Sequence, residues 1–549
     1  MNFRRLIFVI VLLVASAFAQ TKEEAKLATV HGTVVDLGTS QPLAKVVVKL
    51  SPMHWTGEED PSIRSTTDQN GEYEFKSVPA GQYYVTADKT GYLSGSYGKG
   101  KGNRVHGYPI GIAEGSNLSG IDIKLERGGI ISGRILNEEG EPLSNVHVFA
   151  MRNAYINNQK KLMPLTRAET DDHGEYRLHD LRPGTYYVFC ALENRYGPNA
   201  EATDSKHAYP AVYYPGVAAV HAAMPIQISS GSEGVANFSV SPTAAFTVRG
   251  KVIGADDDVD VSVMLQPRSP GLWGMPQGGA QVHNGTFELK RVLPGTYTLV
   301  AFSNKDNKQK TSTAKVTVED SDVNNVEIRL DNPLIEIHGT VQLLGDSKPE
   351  LSGTGVSLSS SFVQQADEEV PWFGGDTYGQ VKKDGSFVVT GSSTPGVKYV
   401  TFGGMHLQDW YLKSVFWGSR DVTDSGFVPA SGGTLQLVIS QYSATVEGLV
   451  LDKDGKPFPG AMVVTVPEEK KRVRHDGWKF ITSDQRGYFQ LTGLPPGNYK
   501  VLAIEDTEQY PPFDQEFLKP LLSKALDLTA EEKGRYNVKV TVIPAEPAK

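Results

Sequence analysis

Polar and apolar residues alternate with period two through short stretches of this chain, and one alternating pattern returns five times. In Gly71–Val85, Tyr73 and Phe75 point one way while Glu72 and Glu74 point the other. That is the signature of a half-buried strand. A Pro-x-Gly element then turns the chain, and Tyr83, Val85 and Ala87 alternate on the way back. The pattern recurs at Gly174–Val188, Gly285–Leu299, Gly385–Val400 and Gly487–Val501, the fourth copy being the weakest. The leading Gly, often after Asp or Asn, suits a tight turn before the first strand.

Each copy sits inside a longer unit. The units open with the strands Val30–Val34, Ile131–Ile135, Val248–Val252, Ile337–Val341 and Val446–Val450, each with a central Gly. They close on alternating strands at Ile121–Leu125, Val235–Val240, Val326–Leu330, Leu435–Ile439 and Val538–Ile543. Successive opening glycines lie roughly 90 to 120 residues apart, the size of a complete small domain rather than of a solenoid repeat. Helical spacing is confined to Asp514–Leu526, where Pro520 limits any helix to short pieces. The segment Asn194–Ala223, rich in Tyr, Pro and Ala, predicts an irregular insertion in unit two.

The motif order G-x-V, G-x-P-L, V-x-V, T-D-x-x-G-x-Y and L-x-P-G-x-Y-x-V resembles the carboxypeptidase regulatory-like domain. That family stands with the prealbumin-like and starch-binding-like β-sandwiches and with the Cna B-type repeats of surface proteins. Units one, two and five match this order strongly. Units three and four lack the G-x-P-L turn. The resemblance implies an all-β chain of tandem Ig-like or prealbumin-like sandwiches in an elongated row. The expected divisions are a signal peptide at 1–19 and sandwiches at 28–127, 128–242, 243–333, 334–443 and 444–549. Such sandwiches host many roles, so the resemblance specifies fold far better than chemistry.

The first residues change the picture of location. Arg4 and Arg5, the apolar run Leu6–Val14 and the small-residue site Ala17–Ala19 read as a cleavable secretory signal. The run is short for a membrane span. Export to the periplasm, cell surface or exterior is therefore expected. The formal charge of −9 becomes −11 once the two leader arginines are removed. An acidic chain without a basic stripe argues against nucleic acid. The single cysteine, Cys190, shares a strand face with Tyr186 and Val188 and reads as a small buried hydrophobe.

No catalytic constellation emerges. The twelve His form neither H-E-x-x-H nor H-x-x-E, and no G-x-S-x-G or P-loop is present. A peptidase would need such a zinc set with a general base, so no enzyme, metal or cofactor is expected. His173 and His179 read as exposed hairpin decoration. Asp171–Gly174 and Asp452–Gly455 look like calcium loops but lack the further oxygens, and read as Asx-stabilised turns. Lys49, on a predicted strand, has no repeated acid and Asn set beside it for an isopeptide cross-link.

Aromatics in one equivalent loop are the remaining candidates: Trp55, Trp273, Trp372 and Trp478, with Tyr155 nearby in unit two. Exposed, they would stack on sugar rings. Buried, they would cover the open end of each sandwich or a neighbouring unit. Trp410 and Trp417 read as core or interface. The expected role is a non-enzymatic binding or scaffold module at the bacterial envelope or outside the cell, its partner a cell-surface protein or a polysaccharide. Carbohydrate binding through the loop aromatics is the alternative.

Overall fold

The computed structural model describes residues 26–53, 60–98, 107–156, 159–192, 206–254, 260–268, 278–305, 308–330, 334–359, 377–392, 396–404, 407, 409–474, 476–505 and 518–544. The leader, the tip of the unit-three opening turn and the loops carrying Trp55, Trp273 and Trp372 lie outside them.

The chain is all-β, as the alternation predicts, and unit one shows the construction. Strand Ala28–Asp36 turns Ala28, Val30 and Val34 inward. It pairs antiparallel with Glu72–Val78 on one side and parallel with Asn117–Leu118 and Ile123–Leu125 on the other. A second sheet places Val47–Pro52 between Ile63–Thr66 and Gly81–Asp88, with Ile110–Ile112 beyond. The core lies between the two sheets and includes Val30, Val48, Phe75, Val85 and Ile123. Opener, hairpin and a parallel closing strand recur as Gly129–Leu136, Phe246–Ile253, Leu334–Leu344 and Ala444–Leu451 with their partners. Among the described residues, the buried apolar side chains fall into five large clusters, spanning 28–125, 131–240, 248–330, 335–439 and 444–542, and two smaller ones.

The motif residues each have a structural task. The opening Gly lets the closing strand's backbone come close. A Cβ on Gly32 would stand 2.0 Å from the Ile121 carbonyl oxygen, on Gly133 1.9 Å from that of Ala236, and on Gly448 1.8 Å from that of Val538. The Tyr73 hydroxyl donates to the same Ile121 carbonyl at 2.5 Å, and Tyr176 to that of Ala236 at 2.6 Å. In P-G-x-Y the Tyr hydroxyl donates back four residues: Tyr83 to Pro79 O, Tyr186 to Arg182 O, Tyr297 to Leu293 O and Tyr499 to Pro495 O, at 2.8–3.0 Å. This is the corner bond of Ig-like sandwiches.

The T-D pair is equally local. The buried Thr67 hydroxyl accepts the Val46 N–H at 2.9 Å and donates to the Leu43 carbonyl at 2.6 Å. Thr170 and Ser483 make the same two bonds in units two and five. The following acid turns the hairpin: Asp171 Oδ1 accepts the N–H groups of His173 and Glu175. Asp452 does likewise with Asp454 and Lys456. Both calcium-like loops are therefore Asx turns.

The two predicted insertions cover the outer faces of second sheets. In unit two, residues 194–205 of the segment lie outside the described residues, and in the rest Val212–Tyr213 pairs with Gly184–Leu192, a regular piece that its composition did not suggest. Tyr213 packs on Phe149, Met151 and Phe189. In unit five the helical spacing resolves into one 3-10 turn, Lys519–Lys524. Leu518, Leu521 and Leu522 there pack on Val464, Leu502 and Trp478.

Units two and three are joined by backbone pairing. His207–Ala208 of unit two pairs with Thr243–Ala244 at the start of unit three. The row is also not straight: Gln485 and Arg486 of unit five reach Gly111 of unit one.

Candidate functional site

Of the candidate aromatics, Trp478 takes the buried alternative. It is 6% exposed and its Nε1–H donates to the Arg472 carbonyl at 3.1 Å. The 518–522 turn covers it, so its ring is closed to a sugar. Tyr155 lies on strand Val146–Ile156, opposite Lys160. Trp55, Trp273 and Trp372 lie outside the described residues. A loop platform would have to work without Trp478.

Trp410 is buried and Trp417 half-buried in one cluster, the latter stacked on Phe427 with centroids 4.7 Å apart. Seven residues separate them, which alone would place them on opposite faces. A bulge between Leu412 and Ser414 restores a common face. Cys190 is fully buried, and burial pushes its thiol up to about 12. His173 and His179 are exposed and each bonds the adjacent Asp. Among the described residues, the one grouping with metal-ligand reach is the exposed Asp171, Asp172 and His173. Lys49 pairs with Asp60 at 3.1 Å.

Sequence reasoning missed the densest polar construction, at the joint of units four and five. Arg474, 12% exposed, leaves unit five just before strand Lys479–Thr482. Its Nε and Nη2 clasp both oxygens of Asp476 at 2.9 and 2.6 Å. Nη1 donates to Asp424 at 2.8 Å and Nη2 to the Leu412 carbonyl at 2.7 Å, both across the joint in unit four. Burial alone would lower the guanidinium pKa, but Asp476 and Asp424 outweigh it and hold it above its ordinary value.

Glu532 of unit five accepts from Tyr411 at 2.9 Å and Lys413 at 2.6 Å in unit four. The Lys413 bond, then that of Tyr411, holds the Glu532 carboxyl below its ordinary value. Lys533 adds its N–H to the Tyr442 carbonyl at 3.1 Å and sets its ammonium 3.8 Å from the Tyr442 ring centroid. A cleft of about 570 Å³ opens over this network, floored by Tyr411, Arg474 and Tyr499. Arg474, Lys413, Asp476 and Glu532 are matched to one another, so their chemistry is that of a fastening. No single motif marks it. Arg474 lies in the charged run Glu468–Arg474, which reads as a solvated loop.

Residues 29–125 and 445–541, units one and five, match the carboxypeptidase regulatory-like domain family. No curated protein matches the chain. Among solved structures, similarity extends to the minor pilin GBS52 of Streptococcus agalactiae. That match has 13% identity and a TM-score of 0.22, and covers 39% of this chain and 96% of the pilin. The major pilin subunit BcpA of Bacillus cereus aligns at 10% identity and a TM-score of 0.13, over 55% of this chain and 99% of its own. A putative carbohydrate-binding protein of Pseudomonas aeruginosa aligns at 16% identity and a TM-score of 0.12, over 18% of this chain and 90% of its own. Overlaps this loose carry no role across.

Proposed function

We propose that this chain is an exported, non-enzymatic scaffold. In this reading five sandwich units, 28–127, 128–242, 243–333, 334–443 and 444–549, are held in fixed succession. Their outer faces and loops meet a partner, a surface protein or polysaccharide, at the bacterial envelope or outside the cell. The leader at 1–19 supplies the export.

The observation that carries the reading is the Arg474 joint. A module that only tethers needs flexible linkers. Here a desolvated guanidinium bonds three groups across and within the joint, which fixes the angle between two units. Arg is suited to this because its planar fork is pre-organised. Elsewhere the repeated motif residues hold the sandwiches together, leaving loops and joints free for recognition.

Spin labels at Val428→Cys in unit four and Lys539→Cys in unit five test this, since both positions are exposed and Cys190 is buried. The expected inter-label distance distribution is narrow. Arg474→Met should broaden it and cost about 3 kcal/mol, because Asp476 and Asp424 lose their buried partner. A distribution already broad with Arg474 intact would overturn the scaffold reading.

A further inference from the structure

The hairpin turn after the T-D pair recurs, and in one copy it is covered. Asp68 and Asp171 begin this turn in units one and two and both are exposed, whereas Asp484, which begins it in unit five, is 4% exposed. The turns share one geometry, so the difference comes from outside unit five. What lies against it is strand Ile110–Ile112 of unit one.

That strand has a free edge. It pairs with Gly81–Asp88 on one side, Gly111 opposite Gln82, and among the described residues no strand lies on the other. Gly111 turns both of its backbone groups to that open side. Its N–H donates to Gln485 Oε1 at 3.0 Å, and its carbonyl accepts from Gln485 Nε2 at 3.4 Å. The side-chain amide thus takes the place of a peptide unit on a neighbouring strand. Arg486 Nη2 adds a third bond to the same carbonyl at 3.3 Å. The turn packs closely here: a Cβ on Gly111 would be in van der Waals contact with Arg486 Nη2 at 3.4 Å and Asp484 Oδ2 at 3.5 Å.

An open strand edge attracts pairing from any chain nearby. A partner tethered on the same chain meets it at high effective concentration. We propose that the unit-five turn Asp484–Gly487 is a dedicated recognition element for the unit-one edge at Gly111. By this contact the chain closes on itself and keeps that edge from pairing with another molecule. This goes beyond the scaffold reading, which concerns the joint of units four and five.

The test uses the full chain with spin labels at Glu114→Cys in unit one and Lys453→Cys in unit five, both exposed. One short distance is expected, unchanged when labelled protein is diluted with unlabelled. Gln485→Ala with Arg486→Ala should replace it by a long, broad distribution. These side chains are outside the unit-five core, so its melting should hold. If it does not, Gly111→Trp, whose ring has no room beyond the Cβ contacts with Arg486 and Asp484, gives the same readout. A short distance that persists in the variants overturns the proposal. So does a long distance with the native turn, or a short one lost on dilution, which would assign the contact to two copies.

Discussion

In unit one the crossing loop is tied down by Thr67; in unit four the residue at that place is Val381. Thr67 serves two backbone groups with one hydroxyl, the Val46 N–H and the Leu43 carbonyl. Val381 has no hydroxyl, though its backbone N–H donates to the Thr354 carbonyl at 3.0 Å just as that of Thr67 donates to the Val46 carbonyl. The hydroxyl has moved to Thr354, fully buried, which donates to Leu351 O at 2.6 Å. The two units meet the same need, a buried carbonyl that must be paired, from opposite sides of the crossing. The motif therefore marks a structural requirement, and a unit can lose the motif while keeping the sandwich.

The opening glycines sharpen the comparison most. A Cβ on Gly448 meets the Val538 backbone, which cannot move without disrupting a parallel ladder. On Gly339 it meets ring carbons of Phe387, the nearest at 2.1 Å, and a ring can tilt. Gly448→Ala should therefore cost unit five about 3 kcal/mol or more. Gly339→Ala should cost unit four about 1–3 kcal/mol, the range for overpacking. Thermal unfolding of the two variants checks the order, and equal losses would break the distinction.

Next comes the crossing itself. Thr67→Val should cost unit one about 1–3 kcal/mol by leaving two buried backbone groups unpaired. Thr354→Val should cost unit four less, because its hydroxyl serves only the Leu351 carbonyl, which keeps the Thr354 N–H at 3.1 Å. Denaturant titration with a reporter in each unit separates them.

A smaller effect depends on pH. Asp36 of unit one is buried and accepts the N–H groups of Thr39 and Gly38, the Tyr92 hydroxyl and Arg127 Nε. The Thr39 bond leads, against the opposing effect of burial, and the carboxyl is held far below its usual 3.8. A depressed folded pKa means the stabilisation is complete above the unfolded value and drains away as pH falls below it. Asn137 holds the equivalent turn in unit two and does not titrate. Unit one should thus lose stability below about pH 4 through this group. Asp36→Asn should remove that part of the acid sensitivity, read from melting temperature against pH.

The smallest effect is a gain. Hairpin strands bulge after the fourth residue, and the bulged residue has positive φ: Ser77 at 57°, Arg291 at 60° and Gly493 at 69°. Only unit five among these has Gly there. Ser77→Gly and Arg291→Gly should each stabilise their units by about 0.5–1 kcal/mol, the relief of a left-handed side-chain clash offset by a looser unfolded chain.

The sandwich was legible because each structural task falls on a local motif. The Tyr four residues after its acceptor and the Asx turn act within one hairpin, and the opening Gly recurs at the same place in each opener although it meets a distant closing strand. What was not legible needed two distant segments. Trp478 looks like a loop aromatic until Leu518 and Leu522 arrive to bury it. Arg474 has its Asp476 partner two residues away, but Asp424 and the Leu412 carbonyl lie 50 and 62 residues off. Gln485 has a counterpart at the same turn in unit one, Gln69, which is exposed. Nothing in the turn's own sequence separates them, and only the edge at Gly111 does.

The central claim is that this chain is built of units with separate cores, joined by specific fastenings. Hydrogen exchange measured by mass spectrometry on the full chain, with and without Gly448→Ala, tests it most directly. The account predicts that peptides from 444–543 lose protection in the variant while those from units one and three keep theirs. Uniform loss of protection along the whole chain would contradict it.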